Sequence, residues 1–355
     1  MTIVRFHPTA AQPFRRLRFA APAVAAAVAL ALLATPASAA RWAKPPWGPK
    51  VIATISIGDG GPDGVSVSPL TGNVYVTTNK GLSVVSGRTN KVIGTIKVPG
   101  SNPFGIAAVS PVTGDIYVAS WTPGGADDLL VISGRTHKVI ATIADVNPVG
   151  VAFSPKTGDV YVLNNYGYDP GTVSVINGKT NKLITTIALP DSSNSVGVAV
   201  SPLSGDIYVT SDESGTVSVF SGRTDKVIDT ITDRTFTNAP YGVAVSPLSG
   251  NAYVTRINAS SGSREPVSVI SGKTNKIIAS VLVGPAPFTI AVSPLTGDVY
   301  VPDSTGHVSV ISGQTNKVIA TVRVGNSAFN VAVSPRTGEV YVVDPDNQKV
   351  YVIIG

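Results

Sequence analysis

Residues 271–276 read SGKTNK, and near copies stand at 86–91, 133–138, 177–182, 221–226 and 312–317. The Gly-Lys-Thr inside this stretch also closes a phosphate-binding loop, so its reading decides between a nucleotide site and a turn used repeatedly. A phosphate loop needs a further glycine five residues before the Gly-Lys pair, so that free N–H groups curl around the anion. Those positions hold Val173 and Val267, inside alternating VSVI runs that read as strands. SGKTNK is therefore a hairpin turn, its glycine expected to supply a positive φ and its Thr-Asn pair to bond side chain to backbone.

Outward from the turn, the chain repeats itself seven times. Prolines at Pro69, Pro111, Pro155, Pro202, Pro247, Pro294 and Pro335 are each followed six residues later by Tyr75, Tyr117, Tyr161, Tyr208, Tyr253, Tyr300 and Tyr341. The period of 41 to 47 residues is that of stacked supersecondary units. Each unit runs GVAVSP, a TGD or SGD turn, VYV, a variable loop, VSVIS, the GKTNK turn and KVIATI. These are four short runs rich in Val, Ile and Tyr, each bounded by Gly, Pro, Asn or Asp. The fold class is all-β: a seven-bladed propeller of four-stranded antiparallel blades over residues 50–355. The chain enters on a fourth strand, KVIATI at 50–55, and leaves on a third, KVYVIIG at 349–355. Pairing these two closes the ring and leaves no blade open.

The pattern GVAVSP…TGxVYV…VSVIS…TNKVIATI resembles the YVTN-repeat propellers of bacterial and archaeal cell surfaces and periplasms, over residues 50–355. The tetrads here are YVTT, YVAS, YVLN, YVTS, YVTR, YVPD and YVVD, so the eponymous asparagine survives once. The resemblance implies a secreted or surface-exposed binding propeller, in a family without one common reaction.

The first residues agree with export. Arg15, Arg16 and Arg18 precede an apolar run from Phe19 to Ala34, and Ala37-Ser38-Ala39 supplies small residues for cleavage. Residues 1–39 read as a signal peptide and 40–49 as a linker, with Arg15-Arg16 leaving both the general and the twin-arginine route open. Residues 1–39 hold four of the 27 basic residues and no acid, so residues 40–355 are nearly neutral, 23 basic against 21 acidic. The basic whole-chain balance is therefore no argument for nucleic acid. Zero cysteines exclude disulfides, thiol chemistry and Cys-ligated metals, and the core alone must hold the fold.

Spacing separates two kinds of connection. Proline to tyrosine is always six residues, whereas tyrosine to the next turn glycine runs from 12 to 19. The constant turns share one face of the disc and the variable loops the other, and binding groups ride on variable loops over a rigid scaffold. The constant turns carry 14 basic residues against six acids; the variable side carries 14 acids against seven basic residues. A negative field on the variable side favours cations, basic peptides or polar glycans. The residues opening the first strands include four aromatics, Phe104, Tyr241, Phe288 and Phe329, that form a ring at the channel mouth. Trp121, Tyr166 and Tyr168 stand in longer loops, and Asp212, Arg256, Asp303, His307 and Asp344 complete the candidate ligand-binding set. GIAAVSP at 105–111 is one residue longer than its counterparts and predicts a β-bulge beside Phe104.

Catalytic signals are sparse. No Gly-x-Ser-x-Gly elbow or paired-histidine zinc motif occurs, and Asp344-x-Asp346-Asn347 is the nearest approach to a calcium loop. The expectation is a monomeric, extracytoplasmic binding protein without catalysis, cofactor, metal or membrane span. Its ligand is a glycan, peptide, cation or partner protein. Two alternatives remain: a lactonase-like hydrolase or lyase built on His307 with Asp303 or Glu213, and a single-stranded nucleic-acid binder using the aromatic ring.

Overall fold

The computed structural model describes residues 48–355 apart from 59, 99–100, 122–126, 145, 165–170, 191–193, 233–238 and 258–261, with backbone alone at 101–106, 121 and 239. The expected signal peptide and all of the linker but its last two residues lie outside this range. The described residues form 28 strands in seven four-stranded antiparallel sheets. In the first blade β2 (Pro62–Val67), β3 (Val74–Thr78), β4 (Gly81–Ser86) and β5 (Lys91–Ile96) pair in sequence order, from channel to rim. The last blade is built from both ends of the chain: β26 (Asn330–Val333), β27 (Val340–Asp344), β28 (Lys349–Ile354) and then β1 (Lys50–Ser56). β1 and β28 run antiparallel from Lys50 opposite Ile354 to Ser56 opposite Lys349. The ring closes as the repeat phase requires.

Burial varies with strand position. β3 is buried at every residue, because neighbouring blades cover both of its faces, whereas five of the six residues of β5 are exposed at the rim. Apolar side chains gather in seven clusters, one at each blade-to-blade interface. Tyr161, Leu163 and Val173 of one blade, for example, meet Val200, Ile207 and Phe220 of the next. The cluster at the closure joins Ile55, Val350 and Val352 to Val65, Val74 and Val76. Each fully buried Val or Ile contributes about 1.5–3 kcal/mol, so no blade is stable without its neighbours.

The repeated tyrosine fastens adjacent blades. Tyr117, Tyr208, Tyr253 and Tyr341 donate their hydroxyls to the carboxamide oxygens of Asn181, Asn275, Asn316 and Asn90, at 2.7, 3.4, 3.1 and 3.2 Å. Each asparagine belongs to the SGKTNK-type turn of the next blade, and the Tyr341 to Asn90 bond crosses the closure. Tyr75 meets His137 edge-on instead, with ring centroids 6.4 Å apart. Tyr300 faces the seam, lining a cavity of about 150 Å³ with Gly48, Pro49, Asp298 and Gly355.

One expectation about the turn is corrected. Positive φ falls on the asparagine position, 53° at both Asn90 and Asn275 and 52° at Asn316, and not on the glycine. The glycine is required by contact: a Cβ at Gly87, Gly134, Gly178, Gly222, Gly272 or Gly313 would collide with the carbonyl oxygen of the TGD or SGD glycine in its own blade. The two constant turns therefore lie against each other on one face, which fixes the length of both. The predicted bulge is present: between Pro103 and Ala107, β6 (Ser101–Val109) advances four residues against two of its partner, where β2 advances three between Pro62 and Val65.

Substitutions at two glycines separate contact from conformational freedom. Gly272→Ala forces a Cβ onto the Gly250 carbonyl and is expected to cost about 1–3 kcal/mol in chemical denaturation. Gly94→Ala, where nothing lies within 4 Å and neighbouring blades carry alanine, is expected to stabilise by about 0.4–1 kcal/mol. Burial also raises all seven repeat tyrosines above the ordinary value of 10.0, Tyr161 and Tyr208 to about 12. An unfolded chain loses its tyrosine protons near pH 10 and folded Tyr161 and Tyr208 only near 12, so stability is intact below pH 10 and falls as pH rises through that window. Most phenolate absorbance should then appear together with loss of the β-sheet circular dichroism signal; titration near pH 10 with the sheet intact would contradict the burial of these hydroxyls.

Candidate functional site

The first strands line the channel and open on the variable face. Three of their opening residues make a continuous arc there. Tyr241, in β18 (Ala239–Val245), meets Phe288 edge-on at 5.7 Å between centroids, and Phe288 meets Phe329 at 5.3 Å. All three are half-buried. Glycine sets the first spacing: a Cβ at Gly242 would stand 2.8 Å from the Phe288 carbonyl oxygen, whereas the equivalent position in the next blade is Thr289. Threonine holds the spacing, with Thr289 donating its hydroxyl to the Phe329 carbonyl at 2.8 Å and Thr210 donating to that of Tyr241. Phe104, the fourth expected member, lies in β6 with its side chain outside the described residues, as does that of Trp121; Tyr166 and Tyr168 lie outside them altogether.

Carboxylates border the arc. The Tyr241 hydroxyl is raised above its ordinary value by burial first, then by the charges of Asp212 and Asp63. Asp212 accepts a 2.8 Å hydrogen bond from Asn194 Nδ2 on Oδ2, and its carboxylate also faces the backbone N–H groups of Asp212 and Glu213; its buried Oδ1 makes no well-formed hydrogen bond among the described residues. Burial raises the Asp212 carboxyl above the usual carboxylate range.

The other expected residues divide by tetrad position. The fourth residue of each tetrad, Thr78, Ser120, Asn164, Ser211, Arg256, Asp303 or Asp344, is buried, at 4% exposure or less. Several visibly organise the variable loops. Thr78 Oγ1 donates to the Gly81 carbonyl at 3.0 Å, and Asn164 Nδ2 to the Thr172 and Ser174 hydroxyl oxygens at 3.0 and 2.8 Å. Asp344 accepts from Asn347 N and Nδ2 at 3.0 and 2.6 Å and from Asn326 N at 3.2 Å. Asp303 Oδ1 accepts from Thr305 N and Oγ1 at 2.8 and 2.6 Å and from His307 N at 3.2 Å. Gly284 and Gly325 pass so close to the Asp303 and Asp344 carboxylates that a Cβ at either would overlap them. Asp303, Asp344 and Arg256 thus sit beneath the loops, with Asp303 Oδ1 and both oxygens of Asp344 engaged by the fold.

His307 is different. It opens β24 (His307–Ile311), is about a third exposed, and places Nδ1 3.9 Å from Asp303 Oδ1 and 3.1 Å from Thr305 Oγ1. The sequence-paired His307 and Asp303 are brought together, and His307 is turned toward solvent beside the mouth. The tetrad cap was the role hidden from sequence reasoning; its signal is a polar residue closing each otherwise apolar YV run.

The chain matches no protein-family model and no curated protein. Among 1769 matching solved chains is one titled Kuenenia stuttgartiensis hydrazine synthase, with a TM-score of 0.71 and 18% identity over 83% of this chain and 96% of that one. At that identity the likeness is of fold alone. The protein is a seven-bladed β-propeller. So widely shared a scaffold carries no chemistry by itself, and function must be argued from the mouth.

Removing a cap should be felt. Asp344→Ala leaves three donors without their acceptor and is expected to destabilise by about 1–3 kcal/mol in thermal or chemical denaturation. His307→Ala should stay within about 0.5 kcal/mol of the parent.

Proposed function

We propose that this is an exported, non-catalytic binding propeller of the YVTN-repeat kind, which holds its ligand at the channel mouth on the variable face. The observation that carries the reading is the half-buried arc of Tyr241, Phe288 and Phe329 bordered by the Asp212 carboxylate. An aromatic wall gives stacking area to an apolar ligand face, and a carboxylate oxygen beside it takes a hydrogen bond or a positive charge. Ligands combining those features are glycans and peptides with exposed donors. Residues 1–39 act as the signal peptide and 40–49 as the linker, and the protein works as a monomer outside the cytoplasm. Trp121, Tyr166, Tyr168 and Phe104 extend the recognition surface.

One observation favours a second reading. His307 stands 3.9 Å from Asp303, the pairing a hydrolase or lyase uses to position an imidazole base. Three donors already saturate Asp303 Oδ1, which makes the carboxylate a fixture of the loop.

The test is a thermal-shift panel of glycans, basic peptides, calcium and oligonucleotides, since a ligand selective for the folded state raises Tm. A glycan or peptide is expected to raise Tm. Tyr241→Ala and Phe288→Ala should each weaken that ligand by about 1–3 kcal/mol, and His307→Ala should leave it bound. A flat panel, or shifts untouched by the aromatic variants, overturns the binding reading. Turnover of any candidate ester abolished by His307→Ala replaces it with the second.

A further inference from the structure

The constant face, opposite the proposed ligand site, carries a charge pattern that counting alone underestimates. All 14 of its basic residues are exposed, among them Arg88, Lys138, Lys182, Arg223, Lys276 and Lys317. None of its six acids is: Asp115, Asp159, Asp206, Asp225 and Glu339 are half-buried and Asp298 is buried. These carboxylates are drawn into the turns. Asp115 accepts from Gly134 N at 3.4 Å, and Glu339 from the Thr337 hydroxyl at 2.9 Å and, at 3.0 Å, from the Tyr341 hydroxyl that it shares with Asn90. The surface that meets solvent is a basic collar, present in every blade.

Inside the collar lies a second ring. The residue after the repeat proline is exposed and apolar in four blades: Leu70, Val112, Leu203 and Leu248, at 47%, 49%, 52% and 58%. Each leans over the turn glycine of the next blade, Leu70 over Gly114, Val112 over Gly158, Leu203 over Gly250 and Leu248 over Gly297. Cations take this position in two of the others. Arg336 Nη1 donates to the Leu70 carbonyl at 2.6 Å, and Lys156 Nζ to that of Leu203. Single exposed apolar residues are ordinary; the same position left apolar and half-exposed around one face is a pattern.

We propose that the constant face docks flat on an anionic phospholipid bilayer, the collar against the headgroups and the apolar ring entering the boundary with the acyl chains. Basic residues supply long-range attraction to anionic lipid, and modest apolar insertion supplies the part that salt does not screen. The exposed apolar residues stand singly, one in each of four of the seven blades. That spacing suits entry between separate lipids better than a protein interface, which needs a contiguous apolar centre. The pose leaves the variable face and its mouth turned to solvent, so membrane docking does not depend on whether a ligand is held there.

The experiment is co-sedimentation of the full-length protein with vesicles of phosphatidylcholine alone or mixed equally with phosphatidylglycerol. Binding is expected only to the mixed vesicles, severalfold weaker at physiological than at low ionic strength. The triple variant Arg88→Glu, Arg223→Glu, Lys276→Glu should bind at least about tenfold more weakly with unchanged Tm. Leu203→Ser with Leu248→Ser should lose the part that survives salt. The opposite-rim pair Lys97→Glu, Arg323→Glu should bind as the parent does. Equal binding by the triple variant overturns the proposal and assigns any binding to residues outside the collar. Capture of polyphosphate or an oligonucleotide without vesicle binding overturns it in favour of a soluble polyanion. Salt-sensitive self-association without vesicles overturns it in favour of stacking on the acidic face of another copy.

Discussion

Antiparallel pairing of β1 with β28 is the contact on which everything else rests. Each apolar cluster belongs to two blades, so the seventh interface exists only because Ile55 and Val352 from opposite ends of the chain meet Val65 and Val74 across it. Without that pairing Val350 and Val352 would lose their cover, and the Tyr341 to Asn90 bond would have nothing to bridge. The closing blade shows the same gradient as the others, from buried β27 to alternately exposed β1. A strand contributed from the far end of the chain is thus equivalent to one joined by a hairpin.

The ring then dictates what each connection can do. On the constant face two glycines touch in each of six blades, Gly87 against Gly72 and Gly272 against Gly250 among them, which leaves neither turn room to lengthen. On the variable face the loops are anchored from beneath by the fourth tetrad residue. Thr78, Asn164, Asp303 and Asp344 do so with different hydrogen bonds, and loop length is free to change over them. Loop variability and turn constancy are two results of one architecture.

Strand number, strand order and closure were legible in the sequence because they depend on local period and on the phase of the two ends. The two faces were legible for the same reason, through connection lengths. The misread glycine of SGKTNK shows where such reading stops. A turn glycine suggests positive φ by its own chemistry, but Gly272 is there because Gly250, 22 positions earlier in the chain, presents a carbonyl to it; positive φ went to Asn275, which tolerates it and also receives Tyr208. The tetrad residues were misplaced for a related reason. Asp303 and Asp344 look like exposed loop acids until Gly284 and Gly325 are seen pressed against them. Tyr241, Phe288 and Phe329 were found from sequence because equivalent positions in a ring become neighbours once the blades are counted.

Charge on the two faces is governed by which residues the turns consume. A constant turn places a carboxylate or threonine against backbone N–H groups at its heart and a long cationic side chain at its tip, so repetition buries the acids and displays the bases. Variable loops have no such template, and their unburied acids, Glu213 and Asp346 among them, face solvent directly. The propeller is polar along its axis for a reason of local hydrogen bonding, repeated seven times and summed by symmetry. A near-neutral domain made this way presents two chemically distinct surfaces, one basic, the other acidic with an aromatic mouth.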